Sequence, residues 1–336
     1  MNSFKYYISK ISEFMTLDVY LARKYGVKSA YYDFLKHFIF RQDDNINGKK
    51  YTYLQYENLK KKLSNKYDYI IDKYRDATYP ENIIEETSNI WIFWWQGIDE
   101  KTPTVVRDCI ESIHRFKGNH SIKVITQYNY KNYVEIQQDI VTKFNEGKIT
   151  ITHFSDILRV ELLYKYGGIW MDATIFLNEE LSKDIYNTPF YTIKHDLFSE
   201  YHVCKGKWSG YFLASAPNNP FIGFLRDYFN EYWKNEDRLI CYLLIDCFIA
   251  IGYENINSFK KQVDEVRLNN ENVYYIDDFG NQNYDPKVFK DKVEKTYIFK
   301  MHYKREFVKF INGNITNYGH VCKYITDNSR YMMEER

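Results

Sequence analysis

The amino-acid sequence predicts an α/β fold in which helices flank a mixed, mainly parallel sheet, preceded by a helical N-terminal extension. Residues 90–95 form a continuous apolar run of the kind that is buried on both faces of a sheet. An amphipathic helix and a second short strand follow, which is the order of a βαβ unit and indicates parallel strands. Residues 1–85 show helical periodicity instead. We therefore expect a helical extension over 1–85 and an α/β domain over 86–336.

The composition narrows the class of function. The 46 Lys and Arg residues nearly balance the 45 Asp and Glu residues, so no overall field favours nucleic acid as a partner. The sequence has neither a Gly-x-Gly-x-x-Gly nor a Gly-x-x-x-x-Gly-Lys-Ser/Thr pattern. A dinucleotide-dependent oxidoreductase and a P-loop kinase would therefore lack their phosphate-binding loops.

Cysteine content and hydropathy indicate the compartment. Five cysteines, without a Cys-x-x-Cys pair, argue against a disulfide scaffold and against a zinc site, and are typical of reduced thiols in the cytoplasm. The N-terminus has no apolar signal core. The longest apolar stretch, 239–251, is interrupted by Asp246 and is too short to span a bilayer. We expect a cytoplasmic protein, either in solution or peripheral on the inner face of the membrane.

The N-terminal extension is predicted to contain three helices, near 3–24, 29–40 and 51–76, with a turn at 45–48. The third helix is amphipathic and carries a run of lysines at 60–62. These lysines either form the solvated face of a packed helix or contact an anionic membrane, where each contributes about 1 kcal/mol.

The first half of the α/β domain is predicted from apolar runs and turn residues. After the strand at 90–95, Thr102 is suited to cap a helix that has Pro103 at its first position. A second strand follows at 123–126, and 129–147 is predicted to be helical.

The segment 153–176 is predicted to form a helix, a Gly-Gly pair, a strand and a terminal acid. Ser155 is a suitable N-cap because its hydroxyl can accept a free backbone N–H. Gly167 suits the left-handed position that ends a helix. The strand at 169–171 then places Asp172 at its end.

That arrangement has a chemical consequence. Asp156 and Arg159 are three residues apart, so they project from neighbouring positions on the helix. Asp172 lies at the edge where open α/β sheets bind ligands. A carboxylate with Mg²⁺ or Mn²⁺, together with an arginine, suits a diphosphate. Alternatively, Asp156 and Arg159 form only an ion pair that caps a core helix.

The same stretch resembles the donor-site core of GT-A fold glycosyltransferases. It is most similar to bacterial capsular polysaccharide synthesis glycosyltransferases, which are related to DXD-motif glycosyltransferases and to clostridial glucosylating toxins. The residues that carry the resemblance are 155–159, 163–164 and 167–174.

The resemblance implies roles for individual residues. Asp156 and Arg159 would hold a nucleotide-sugar, and Asp172 would carry Mn²⁺ or Mg²⁺. Thr174 occupies the place of the second acid of the motif and offers only a neutral oxygen, so strict metal dependence is not implied.

The resemblance also assigns the nucleotide base to the loop after the first strand. It makes Trp94, Trp95, Gln96 and Gly97 candidates for base contact. Because alternate strand residues face opposite ways, some of these tryptophans must belong to the core instead.

The second half of the domain holds one unusual acid. Strands are predicted at 190–194 and 211–216, followed by a turn at 217–220 and an aromatic helix. Asp246 then interrupts the apolar run 239–250. Burying an unpaired carboxylate is costly, so Asp246 is either a hydrogen-bonded structural residue or lines a cavity. The resemblance favours a catalytic acid on the acceptor side.

Near the C-terminus, 297–305 is predicted to be a strand followed by a basic loop. The resemblance makes His302 a candidate metal ligand. Lys300 and Lys304 would neutralise the leaving diphosphate. The alternative is an ordinary polar strand face.

The resemblance therefore implies a hexosyltransferase of capsule or cell-surface polysaccharide synthesis. The donor would be a UDP-sugar, with galactose or glucose expected, and the acceptor a hydroxyl of a lipid-linked glycan. Retention of anomeric configuration is implied by the relatives. Two alternatives remain: a toxin-like enzyme that glycosylates a protein, and a non-catalytic glycan-binding protein with a decayed donor site.

Overall fold

The computed structural model describes residues 2–40, 46–195 and 201–323 of the chain. The strands are β1 (Asn89–Phe93), β2 (Ser121–Ile125), β3 (Gly168–Asp172), β4 (Ile175–Leu177), β5 (Phe190–Thr192), β6 (Phe212–Ser215), β7 (Ile298–Lys300), β8 (Phe310–Ile311) and β9 (Asn314–Ile315). Five of them form the central sheet in the order β2-β1-β3-β6-β5. β4 pairs with β7, and β8 pairs with β9.

The central sheet is mixed but mainly parallel. β1 is parallel to both β2 and β3, whereas β6 is antiparallel to both β3 and β5. Only β6 therefore runs against the other four strands. The three central residues of β1, at 90–92, are almost completely buried, as the continuous apolar run predicted. The predicted α/β class is confirmed.

Helices pack against strands of the sheet and form the N-terminal region. They are α1 (Asn2–Tyr25), α2 (Val27–Phe34), α3 (Ile46–Lys66), α4 (Asp68–Tyr74), α5 (Thr104–Phe116), α6 (Tyr130–Tyr133), α7 (Gln138–Asn145), α8 (Ile151–Tyr166), α9 (Pro220–Asn235), α10 (Leu244–Asn255), α11 (Asn257–Glu265), α12 (Tyr275–Phe279), α13 (Pro286–Val293) and α14 (Asn317–Cys322). A π-helical turn (Leu35–Ile39) follows α2, and a 3₁₀ turn (Lys183–Asn187) precedes β5. Within the described residues, no helix combines the length and the apolar content that crossing a bilayer requires.

The helical N-terminal region is confirmed, and it shares a core with the rest of the chain. α3 packs against α10, and α4 packs against α9. Leu21, Leu59 and Leu63 are completely buried in the same apolar cluster as the sheet. The proposed boundary between residues 85 and 86 stays a prediction.

Several predicted boundaries in the first half of the chain are wrong. The turn expected at 45–48 is not present at its described residues, because α3 already begins at Ile46, and Asn45 lies outside the described residues. The helix expected over 51–76 is two helices that meet at Tyr67. The helix expected over 129–147 is likewise divided into α6 and α7.

The predicted helix caps are also corrected. Thr102 does not cap α5, because its hydroxyl accepts a hydrogen bond from the backbone N–H of Asp99 at 2.9 Å, and Pro103 lies just before the helix. α8 begins earlier than expected, with Thr150 as its cap. Ser155 lies inside that helix and donates its hydroxyl to the carbonyl of Thr152 at 2.6 Å.

The Gly-Gly pair between α8 and β3 is confirmed as the end of the helix. Gly167 has φ +65° and Gly168 has φ +96°, values that favour glycine. A Cβ atom at Gly168 would lie 2.3 Å from the carbonyl oxygen of Asn89. Glycine therefore allows the start of β3 to lie directly against β1. The parallel register that follows places Asp172, the last residue of β3, opposite Phe93.

Candidate functional site

The end of β3 carries the first candidate carboxylate. Asp172 is the last residue of the strand, opposite Phe93 at the end of β1. Its backbone N–H donates to the carbonyl of Tyr211 at 3.0 Å, which ties it to the segment before β6. About 30% of its side chain is exposed, so a ligand can reach it. This is the sheet edge at which α/β proteins bind ligands.

Charged side chains from α8, β3 and β7 meet at this edge. Asp156 Oδ1 lies 2.9 Å from Arg159 Nη1, and Arg159 Nη2 lies 3.1 Å from Asp172 Oδ1. Lys300 Nζ lies 3.1 Å from Asp172 Oδ2. Signs alternate along what we call the charged row: Asp156, Arg159, Asp172 and Lys300. The structure thus brings together the two acids and the arginine of the sequence motif.

Aromatic and backbone groups hold Arg159 in place. Only 4% of its side chain is exposed, and its guanidinium carbon lies 4.9 Å from the ring centre of Trp170. The Nε1–H of Trp170 donates to Asp172 Oδ1 at 3.1 Å. A Cβ at Gly210 would lie 3.5 Å from Arg159 Nη1, so the backbone there closes over the guanidinium.

The surroundings of Asp172 favour its ionised form. Burial acts to raise the pKa of this carboxyl, but the charges of Lys300 and Arg159 and the indole N–H of Trp170 outweigh it and hold the pKa below its usual value. Lys300 also donates to the hydroxyl of Thr174 at 2.5 Å. Asp172 is therefore an anion with three donors at neutral pH.

Asp246 lies beside the charged row, in the first turn of α10. It is buried and accepts a hydrogen bond from Trp208 Nε1 at 2.8 Å. Burial, to which the charge of Asp156 adds, raises the pKa of Asp246 to about 7 against the opposing effects of Trp208 and Arg159. The hydrogen bond fits the structural interpretation, whereas a pKa near neutrality is typical of an acid or base.

The four candidate base contacts, which lie in the loop after β1, have different surroundings. Trp95 is half-buried and packs against the rings of Tyr130, Phe144 and Phe154. Trp94 meets Tyr303 edge-on with ring centres 5.7 Å apart. Gln96 is exposed, and Gly97 has φ +84° in a turn closed by its N–H to the carbonyl of Trp94 at 3.0 Å. Trp95 thus packs into an aromatic cluster, whereas Gln96 is the exposed member of the four.

The candidate residues at the end of β7 and in the basic loop after it also have different partners. The Nδ1 of His302 lies 2.9 Å from Asp277 Oδ2, and its backbone N–H donates to Asp277 Oδ1 at 2.7 Å. Arg305 also contacts Asp277, at 3.0 Å. The ammonium of Lys304 lies 5.8 Å from the ring centre of Tyr303. Lys300 is the residue of this segment that contacts Asp172.

The residues present do not fit a divalent cation as they stand. Among the described residues, no three His, Cys, Asp or Glu side chains are grouped so that they could hold a metal. Both oxygens of Asp172 already accept hydrogen bonds, and the hydroxyl of Thr174 accepts one from Lys300. A cation between Asp172 and Thr174 would meet the ammonium of Lys300. The expected Mn²⁺ or Mg²⁺ stays a prediction.

Sequence reasoning missed several residues at the site. Tyr242 is exposed as a residue, but partial desolvation of its hydroxyl, followed by the charges of Asp156 and Asp172, raises the pKa of that hydroxyl. Its position in the apolar run 239–250 was the available signal. Trp208 and Asp277 had no local signal, because their partners lie 38 and 25 residues along the chain.

Comparisons with known proteins agree on the class of protein. A family model described as capsular polysaccharide synthesis protein matches residues 38–320. The O-glycosyltransferase braB of Annulohypoxylon truncatum is 24% identical over 168 residues, covering 45% of this chain and 38% of its own length. The glycosyltransferase afumC of Aspergillus fumigatus is 27% identical over 110 residues, covering 30% and 28%. The chain thus matches well under half the length of these curated relatives.

One solved structure also resembles this chain. The PaToxG glycosyltransferase has a TM-score of 0.37 and 17% sequence identity, covering 63% of this chain and 82% of that chain.

Proposed function

The chain belongs to the capsular polysaccharide synthesis protein family, and from that premise we propose that it is a glycosyltransferase of surface polysaccharide synthesis. It would move a hexose, galactose or glucose, from a UDP-sugar to a hydroxyl of a glycan acceptor. The charged row at the ligand-binding edge of the sheet carries this proposal, because the partly exposed Lys300, with the buried Arg159 joined to it through Asp172, supplies positive charge for a diphosphate.

In the proposed reaction, the bond between the anomeric carbon and the diphosphate oxygen breaks, and a bond to the acceptor oxygen forms. Arg159 and Lys300 stabilise the negative charge that grows on the departing diphosphate. Asp156 accepts hydrogen bonds from the ribose or the sugar, and Asp172 keeps both cations in place. The acceptor proton passes to the diphosphate, so no separate protein base is required. Retention of configuration is proposed on the resemblance alone.

The acceptor is proposed to be lipid-linked, with the protein peripheral on the inner face of the membrane. The lysine run at 60–62 gives limited support, because Lys60 is buried and pairs with Glu57 at 2.7 Å and Glu254 at 2.6 Å. A different surface supports membrane contact better. Ile11, Met15 and Val19 recur every four residues along α1, and all three are about half-exposed.

Thermal unfolding with a panel of nucleotide-sugars tests the donor site, since a ligand bound to the folded state raises the melting temperature. We expect UDP-galactose or UDP-glucose to raise it in the wild type and to be hydrolysed slowly. Asp156→Asn should lose most of the shift. Asp72→Asn is a matched control, because Asp72 also precedes an arginine by three residues but lies on the exposed face of α4.

Two results would remove the proposed function: no nucleotide-sugar stabilises the wild type, or Asp172→Ala retains full turnover. Binding of a nucleotide-sugar without any turnover would instead favour the non-catalytic alternative. Thr174 in place of an acid is the observation that keeps this alternative open.

A further inference from the structure

Lys300 is fixed by the backbone beside the turn that joins β3 to β4. It ends β7 and lies opposite Ile175 in the antiparallel pairing with β4. Its N–H donates to the carbonyl of Val273 at 2.8 Å, and the N–H of Met301 donates to the carbonyl of Thr174 at 3.0 Å. The ladder thus carries the lysine to this turn, and its position does not depend on side-chain contacts alone.

The ammonium group of Lys300 contacts both polar side chains of the turn. Its Nζ lies 3.1 Å from Asp172 Oδ2 and 2.5 Å from Thr174 Oγ1. It also lies 5.4 Å from the ring centre of Tyr211, a distance typical of a cation–π contact. The side chain is only 17% exposed. These two oxygens are the ones that a divalent cation would need if it were held by residues 172 and 174.

We propose that Lys300 supplies the positive charge that a divalent cation would otherwise bring to the diphosphate, so that the donor site binds its nucleotide without a metal ion. This inference rests on the proposed function and deepens it, because it concerns how the same site holds its donor.

Charge balance supports this assignment. The charged row contains two carboxylates, those of Asp156 and Asp172, and two cations, those of Arg159 and Lys300. A magnesium or manganese site usually gathers additional anionic oxygens. Here the turn offers a neutral hydroxyl where a second acid would stand, and a lysine contacts it. The hydroxyl binds a metal less strongly than an acid would, and the lysine repels the metal. Both residues therefore disfavour a bound divalent cation.

Isothermal titration of the full chain with UDP, and separately with inorganic pyrophosphate, tests the inference. We expect the wild type to bind UDP with the same affinity in EDTA as in excess Mn²⁺. Lys300→Ala should weaken binding in EDTA by roughly tenfold or more, as the loss of a charge-assisted contact does. Lys234→Ala on α9 is the control, because this lysine is exposed and its carboxylate partner is 3.9 Å away.

Two further variants make the role specific. Lys300→Arg keeps the charge and should retain most of the binding in EDTA, which covers the case in which the alanine variant does not fold. The double variant Lys300→Ala with Thr174→Asp replaces the ammonium by a second acid. It should bind Mn²⁺ directly and should bind UDP only when Mn²⁺ is present, a gain that a purely structural lysine would not produce.

The outcomes separate this inference from the proposed function. If the wild type binds UDP only with Mn²⁺, the inference is wrong and the proposed function stands. The inference is also wrong, and the function again stands, if Lys300→Ala binds UDP in EDTA as the wild type does, or if the double variant needs no Mn²⁺. If neither UDP nor pyrophosphate binds in either buffer, both are wrong.

Discussion

Among single residues, Arg159 is the one that joins the two acids of the charged row. It bridges Asp156 and Asp172 with two different nitrogens, and it is almost fully buried. Lysine has a single nitrogen on a flexible chain, so it cannot reproduce two bonds from separate nitrogens of one rigid plane. The geometry of the site thus depends on a planar guanidinium at this position.

We expect Arg159→Ala to lower the free energy of unfolding by about 3 kcal/mol, because it leaves a buried carboxylate without its partner. Urea unfolding at constant m-value measures this. Arg159→Lys should recover little of the loss. Arg75→Ala is the control, since Arg75 contacts Asp72 with the same three-residue spacing but in solvent, and it should leave the free energy of unfolding nearly unchanged. Equal losses at both sites would contradict the prediction.

Asp246 should make stability depend on pH. Its pKa is raised to about 7 in the folded protein from an ordinary value of 3.8. Between these values the folded state binds more protons than the unfolded state, so the contribution of this group falls as the pH rises through that window. Above that pH window, the ionised carboxylate of Asp246 is buried beside Asp156. Arg159 offsets part of this unfavourable effect.

We expect Asp246→Asn to gain stability relative to the wild type as the pH increases from about 5 to about 8, by an amount on the order of a few kcal/mol. Asparagine can still accept the hydrogen bond from Trp208. Melting temperatures of both proteins across this range test the prediction. A difference that does not change with pH would show that the group does not titrate there.

At the scale of secondary-structure elements, the close contact between β3 and β1 sets the position of Asp172. Gly168→Ala would place a Cβ against the carbonyl of Asn89 in a left-handed conformation. We expect it to cost about 3 kcal/mol or more, measured by urea unfolding. Gly118→Ala shares the positive φ but has free space around it, so it should cost only about 1 kcal/mol. Similar costs would mean that packing at Gly168 is unimportant.

The exposed apolar residues of α1 lead to a prediction about membranes. Ile11→Asp with Met15→Asp should reduce co-sedimentation of the protein with vesicles that contain anionic phosphatidylglycerol, because apolar burial contributes to interfacial binding. Val288→Asp on α13 is a matched control, since Val288 is exposed to a similar degree. Unchanged binding of the double variant, or no binding of the wild type, would contradict membrane contact through α1.

Local sequence signals predicted the elements better than their ends. The apolar run at 90–95 correctly marked a buried strand, but the strand ends at Phe93 and a turn follows at Trp95 and Gln96. Ser155 was a plausible cap by composition, yet Thr150 takes that role. Cap residues are common, and tertiary packing decides which of them is used.

The same limit applies to the candidate site. Asp156, Arg159 and Asp172 could be placed together because they lie in one continuous motif. The contact of Lys300 with Thr174 joins residues 126 positions apart, and no periodicity links them. The pairing of His302 with Asp277 escaped prediction for the same reason. Sequence therefore identified the acids and the arginine, and the fold was needed to find their other partners.

For the whole molecule, the N-terminal helices are joined to the α/β part by charged and polar contacts as well as by the shared core. Glu236 at the end of α9 is completely buried and contacts both Lys66 and Tyr20. Lys73 on α4 contacts Asp227 on α9 at 2.5 Å. The N-terminal helices therefore supply the partners of a carboxylate that is buried in the intact chain.

We accordingly expect the full chain to unfold in one calorimetric transition, with the van't Hoff and calorimetric enthalpies equal. Glu236→Gln should lower the melting temperature of that single transition without splitting it. Two separate transitions in the wild type would show that residues 1–85 are an independent unit.

The attachment of Lys300 to a β-strand has a consequence for turnover under the metal-free scheme. A divalent ion can leave the site together with the nucleotide product. Lys300 remains part of the protein, so its contact with the product must break when the product leaves. The single charge of a lysine also attracts a diphosphate less strongly than the double charge of a divalent cation does. Product release would then be quick, and catalysis would continue in cells starved of manganese.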